Sequence, residues 1–154
     1  MALGNLLFQF SGRTSRGQYW LAWLIYIAIY LAFLALCYLT ESVAVQTLTG
    51  MVVIVLVISA IAVGIKRLQD RNKSGWYLVL FYVAPGILFF IGMRIGVSPD
   101  GSAIIANALG LAAFAISLWA FVELGCRRGT IGVNPHGPDP VAPVIVPPVR
   151  NPMG

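Results

Sequence analysis

Charge is what this chain has least of: Asp, Glu, Lys and Arg make up 10% of its 154 residues, against 59% hydrophobic ones. A water-soluble domain carries ~25% charged residues, so the deficit excludes a soluble globule. Cysteine is nearly absent, with only Cys37 and Cys126. They fall at opposite ends of different apolar stretches, separated by most of a ~30 Å hydrocarbon layer, whereas a disulfide needs Cα atoms ~4.4–6.8 Å apart. An intrachain bridge is excluded, no C-x-x-C pair exists for a metal, and Cys37 reads as a packing residue. The one histidine, His136, has neither a second histidine nor a nearby cysteine as companion. Ionisable groups are missing from the middle of every apolar stretch, which removes the usual ion-coupling residues of a transporter. No catalytic, cofactor-binding or metal-ligating residue is assigned.

What is abundant is uninterrupted apolar sequence. Four stretches, at about residues 19–39, 45–65, 76–92 and 103–124, each approach the ~20 residues that a helix needs to cross a bilayer. No charge interrupts the first three, and in the fourth only Glu123 appears, at its end. The basic residues are shared unequally among the connections. Arg13 and Arg16 precede the first stretch, Lys66, Arg67, Arg71 and Lys73 separate the second from the third, and Arg127, Arg128 and Arg150 follow the fourth. The other two connections hold only Arg94. Lys and Arg in short loops are retained on the cytoplasmic side. The pattern predicts an all-α integral membrane protein, one compact four-helix bundle with N and C termini and middle connection cytoplasmic. Residues 1–140 form its single domain, and the Pro/Val-rich segment 141–154 reads as an extended or disordered tail. The net charge of +5 does not point to nucleic acid, because the basic residues hug helix ends, where anionic lipid attracts them. A cleaved signal peptide ending near Ser42-Val43-Ala44 is the weaker reading, since the first apolar run exceeds a ~7–15-residue signal core.

Smaller patterns organise the stretches. Leu3, Leu6, Leu7 and Phe10 recur at i, i+3, i+4 and i+7, so residues 1–10 form either a short helix in the inner interface or an unstructured start. Tyr19, Trp20 and Trp23 mark the cytoplasmic interface of the first span, Tyr38 its outer one, and Trp76 and Tyr77 the start of the third. Pro85-Gly86 predicts a kink along the third span. Ala28 with Ala32, Ala60 with Gly64 and Ala108 with Ala112 are small pairs at four-residue spacing, expected as intrachain seams or else as a homodimer face. The two halves echo each other weakly, each opening with a basic segment that leads into Tyr19-Trp20 or Trp76-Tyr77. A duplication of that kind is parallel, unlike the inverted repeats of many transporters.

The connector from Lys66 to Trp76 must reverse the chain within about ten residues. Its Asp70-Arg71-Asn72-Lys73-Ser74-Gly75 mimics half of a calcium loop, but Phe81 stands where a bidentate glutamate is required. The better reading is a tight charged turn. Asp70 lies three residues after Arg67 and four after Lys66, so these pair if helix continues past Ile65. Asn72, Ser74 and Gly75 supply turn chemistry, with Ser74 capping the third helix. Glu123 and Arg127, four apart, pair on the last turn of the fourth.

Three motifs then stand in order: Gly12-Arg13 with Arg16 and Tyr19-Trp20; Arg67-Leu68-Gln69-Asp70 with Ser74-Gly75-Trp76; and Gly129-Thr130-Ile131-Gly132-Val133-Asn134 with Gly137-Pro138-Asp139-Pro140. Together, over roughly residues 8–140, they resemble the domain of unknown function 805 family of small bacterial inner-membrane proteins. The resemblance implies a four-helix protein of the bacterial inner (cytoplasmic) membrane, crossing it several times, and no established activity. Gln69 stands where the family often has histidine and His136 where it often has an aromatic residue, which weakens a proton-relay or metal role for the middle connection. The charge rule places all three motifs on the cytoplasmic face. A candidate cluster is expected there from Arg13, Arg16, Arg67, Asp70, Ser74, Trp76, Arg127, Arg128, Asn134 and Asp139. Its arginines either hold Asp70 and Asp139 in an ion-pair cluster, the favoured reading, or leave guanidinium groups for lipid phosphates.

Three classes of function fit this pattern unequally. First comes a non-catalytic membrane protein whose basic face docks anionic lipid or a membrane or cytoplasmic protein. Second is a subunit of an oligomeric transporter or channel, with Ser59, Asn107 and Ser117 the conspicuous polar groups near the spans. A membrane-interface enzyme comes last, because Ser74 or Cys126 needs a base and only His136 offers one near neutral pH. The expected partners are membrane lipid, an unidentified protein and a second copy of the chain; no cofactor is expected.

Overall fold

A computed structural model describes residues 3–97 and 102–141; nearly all of the tail expected over 141–154 lies outside the described residues. Those residues are helical or irregular, with a single isolated bridge between Asn134 and Gly137. The elements are α1 (Leu3–Phe8), α2 (Arg16–Thr40), α3 (Val43–Asp70), a π-helical turn (Val79–Val83) leading into α4 (Ala84–Val97), and α5 (Ala103–Phe121), which ends in a second π-helical turn (Val122–Cys126). Four helices, over residues 16–40, 43–70, 79–97 and 103–126, are long and apolar enough to cross a membrane.

The helices overrun the apolar stretches for local reasons. At the start of α2 the Ser15 hydroxyl accepts from the Gln18 N–H, and the Gln18 side chain accepts from the Ser15 N–H, a reciprocal cap that satisfies two donors. At its other end Glu41 takes φ 48° and donates its N–H to the Cys37 carbonyl, so Glu41 and Ser42 alone turn the chain into α3. The second long helix therefore begins at Val43, two residues before the apolar stretch expected from about 45. The 28 residues of α3 extend ~42 Å, more than the ~30 Å hydrocarbon layer, and the excess tilts or projects. Just before Pro85, where a kink is expected, the chain makes a π-helical turn: the Ala84 N–H reaches back to Val79, one residue further than in an α-helix. Proline has no N–H to continue the regular ladder, and such a turn absorbs the mismatch.

The packing differs from a uniform bundle. α2 pairs with α3 and α4 with α5, while neither α2 nor α3 closely approaches α4 or α5 along its length. Among the described residues the two hairpins join at one end, where α2 and α3 meet the turn 122–126. The main core gathers there, from Tyr19, Ala22 and Tyr26 of α2, Val63 and Leu68 of α3, Leu78, Phe81, Ala120 and Leu124. Of the three small pairs, Ala60 and Gly64 face inward, and a Cβ at Gly64 would lie 2.8 Å from Leu78. Ala28, Ala32, Ala108 and Ala112 are exposed, so two of the three expected intrachain seams are not seams. The close approach in the second hairpin instead uses Gly92, whose Cβ position is 3.0 Å from the Ala106 carbonyl oxygen.

The short α1 is a helix, as one of the two expected readings has it. Leu6 is buried while Leu3 and Phe10 are 57% and 48% exposed, so only part of the apolar stripe packs against the rest of the protein. The carbonyls of α1 hold it as well. Lys66 Nζ donates to the carbonyls of Asn5 (2.8 Å) and Leu6, and the Ser59 hydroxyl donates to that of Leu7 (2.7 Å). Ser59 precedes Asp70 by eleven positions, ~16 Å along α3, so α1 dips into the groove between α2 and α3. These bonds satisfy carbonyls that a helix C-terminus leaves open. They also explain why Lys66 is fully buried and why the expected Lys66–Asp70 pair does not form.

Candidate functional site

Where the hairpins meet, the last turn of α3 presents two charges three residues apart. Arg67 is fully buried and Asp70 2% exposed. Each carboxylate oxygen of Asp70 takes a separate guanidinium, Oδ1 from Arg13 at 2.8 Å and Oδ2 from Arg67 at 2.5 Å. Two cations on one anion leave an excess positive charge, and backbone carbonyls surround it. Arg67 also donates to the carbonyls of Leu124 (2.7 Å), Thr14 (3.3 Å) and Arg127. Arg13 also donates to those of Gly132 (2.5 Å), Gly137 (3.3 Å) and Thr130. A buried ion pair is tolerated only when its remaining donors are satisfied in this way.

The segment after α5 is sewn onto the same turn. Thr130 gives both its N–H (2.8 Å) and its hydroxyl (2.9 Å) to the Asp70 carbonyl. Asn134 Nδ2 bonds the Gln69 carbonyl and the Thr130 hydroxyl, each at 3.0 Å. Gly129 passes so close that a Cβ would stand 1.9 Å from Asp70 Oδ2. Trp20 donates its indole N–H to the Gly125 carbonyl at 3.1 Å and leaves no room for a side chain at Gly125.

A second cluster mirrors the first. Glu123, fully buried, accepts from Arg71 (3.0 Å), Lys73 (2.8 Å) and Arg127 (3.1 Å). Asp70 of the first hairpin thus binds the segment that follows the second, and Glu123 of the second binds cations from the connector that leaves the first.

The predicted cluster is only partly one unit. Arg67–Asp70 and Glu123–Arg127 pair as their spacing implies, and Arg13 and Asn134 join them. Asp139 enters no ion pair among the described residues. Its Oδ1 accepts from the Val141 N–H (3.0 Å) and its Oδ2 from the Gly132 N–H (3.3 Å), and the Val141 bond first, then that of Gly132, holds its carboxyl below the usual range. Arg16 donates to the Cys126 carbonyl at 3.1 Å, and neither Arg16 nor Arg128 meets a carboxylate among the described residues. Ser74 accepts from the Trp76 N–H at 3.4 Å, a local cap, and Trp76 stands 78% exposed at the rim. Sequence reasoning missed Arg71 and Lys73 as partners of Glu123, although the sole acid of the fourth stretch was the signal for such partners. It also missed Lys66, Gly129 and Thr130, whose roles depend on contacts more than fifty residues away. Among the described residues no three His, Cys, Asp or Glu side chains gather into a group that could hold a metal ion.

Four membrane-length helices in two hairpins, locked at one end by buried ion pairs, define a polytopic helical membrane protein. The chain belongs to the family described as Protein of unknown function (DUF805), whose match covers residues 7–138. No curated protein and no solved structure matches it.

Proposed function

We propose that this chain is a non-catalytic, multi-pass protein of the bacterial inner membrane whose charged end faces the cytoplasm and docks anionic lipid or a partner protein. The observation that carries this reading is a division of labour among the cations. Arg13, Arg67, Arg71, Lys73 and Arg127 are committed to Asp70 and Glu123 and serve the architecture. Arg16 and Arg128 are exposed and stay outside those pairs, so the surplus positive charge lies at the surface, where phosphate or acidic groups can meet it. The bias of Lys and Arg toward this end supports the orientation.

Purification in native membrane discs, followed by mass spectrometry of lipids and proteins, tests the proposal. Anionic lipid or one recurrent protein should be enriched over the bulk membrane, and Arg128→Glu should reduce that enrichment. A composition equal to the bulk membrane, with no recurrent protein, overturns it. The separation of the hairpins away from the charged end favours one second reading, a subunit of an oligomeric transporter or channel. Solute flux in proteoliposomes that rises with protein content would transfer the assignment to that class.

A further inference from the structure

Between the start of α2 and the segment after α5 lies a cavity of about 220 Å³ whose walls include Ser15, Arg16, Arg67, Asp70, Arg128 and Asp139. Arg67 and Asp70 are committed to each other, and Asp70 also to Arg13. Arg16, Arg128 and Asp139 are different: cations and an anion line one small cavity, yet none forms an ion pair among the described residues. Asp139 is pinned by two backbone N–H groups, which leave part of its carboxylate's acceptor capacity unused. Groups of opposite sign that face a common space without touching fit a ligand that itself carries both charges.

We propose that this cavity holds the headgroup of an aminophospholipid, its phosphate between Arg16 and Arg128 and its primary ammonium on Asp139. Guanidinium forks match phosphate oxygens in geometry and charge. A purely anionic headgroup would satisfy the arginines but set its own negative charge beside Asp139, so Asp139 selects for the ammonium. The lipid source, instead of a free phosphate ester, follows from position. Arg16 is the first residue of a membrane-length helix, and Trp20, one turn further along, is the kind of side chain that sits at headgroup depth. The inference rests on the lipid-docking half of the proposed function and revises its lipid: Arg16 and Arg128 still take a lipid phosphate, but Asp139 turns the choice from an anionic to a zwitterionic headgroup.

Delipidated full-length protein in detergent, offered equal amounts of phosphatidylethanolamine and phosphatidylglycerol with identical acyl chains, is read by native mass spectrometry. The wild type should retain one phosphatidylethanolamine in preference to phosphatidylglycerol. Arg128→Ala, which removes a side chain paired with no carboxylate of the described residues, should weaken retention of both by about tenfold, the scale of one charge-assisted hydrogen bond. Asp139→Asn should erase the preference and leave phosphatidylglycerol retention unchanged or raised. Equal or better retention of phosphatidylglycerol by the wild type overturns the proposal, as does a preference that survives Asp139→Asn. Competition by free phosphoethanolamine as effective as by the lipid overturns the lipid source. Retention of neither lipid removes the lipid-docking reading itself, a separate outcome.

Discussion

At Asp70 the two carboxylate oxygens serve two different parts of the chain, Arg67 on the same helical turn and Arg13 from before α2. Removing one partner of a buried pair strands the other, at a cost of ~3–5 kcal/mol. Arg67→Ala and Asp70→Ala should therefore each lower the temperature at which the solubilised protein stops eluting as a single species. The double variant should lose less than the sum, because the two share one interaction; additive losses would show that they act separately. Gly129→Ala should be disruptive for a steric reason, since its Cβ would stand 1.9 Å from Asp70 Oδ2, whereas Gly110→Ala, with nothing within 4 Å, should be nearly neutral in the same assay. The Arg67–Asp70 and Glu123–Arg127 pairs were legible in the sequence because helical spacing alone brings their members together. Arg13 on Asp70 was expected only as one of several arginines in a shared cluster, and Arg71 and Lys73 on Glu123 were not legible, because those contacts exist only once the hairpins have docked.

Among the elements, the four long helices were legible as apolar runs, but their ends were not. α3 continues past its apolar stretch to Asp70 because Lys66, Arg67 and Asp70 all find buried partners there, and hydropathy carries no trace of those partners. A kink was expected at Pro85, but the π-helical turn over Val79–Val83 just before it was not. α1 depends most on another element. Lys66→Met would leave the carbonyls of Asn5 and Leu6 without their ammonium, so amide hydrogen exchange over residues 3–8 should accelerate while the cores of α2 and α3 stay protected. Unchanged exchange in α1 would mean that Leu6 burial and the Ser59 bond to the Leu7 carbonyl hold it without Lys66. Leu56→Arg, in the middle of α3, should instead impair insertion of the whole protein, since a cation at mid-span costs ~2.5–3.5 kcal/mol on insertion scales.

For the molecule as a whole, the proposed orientation, with the charged end cytoplasmic, rests on the distribution of Lys and Arg. Cysteine substitutions in a background lacking Cys37 and Cys126 test this: position 11 should be shielded from an impermeant reagent applied outside the cell, and position 41 should react. The reverse pattern would invert the topology. The splay of the hairpins had no signature in the sequence, because apolar side chains facing lipid and those facing another helix look alike. It makes the locked end a fulcrum. α2, with 25 residues, is an arm ~37 Å long, so a rotation of roughly 5° at the ion-paired end displaces its far tip by ~3 Å. Among the described residues α2 and α3 make no close backbone contact with α4 or α5, so the far halves hold nothing that resists such a swing.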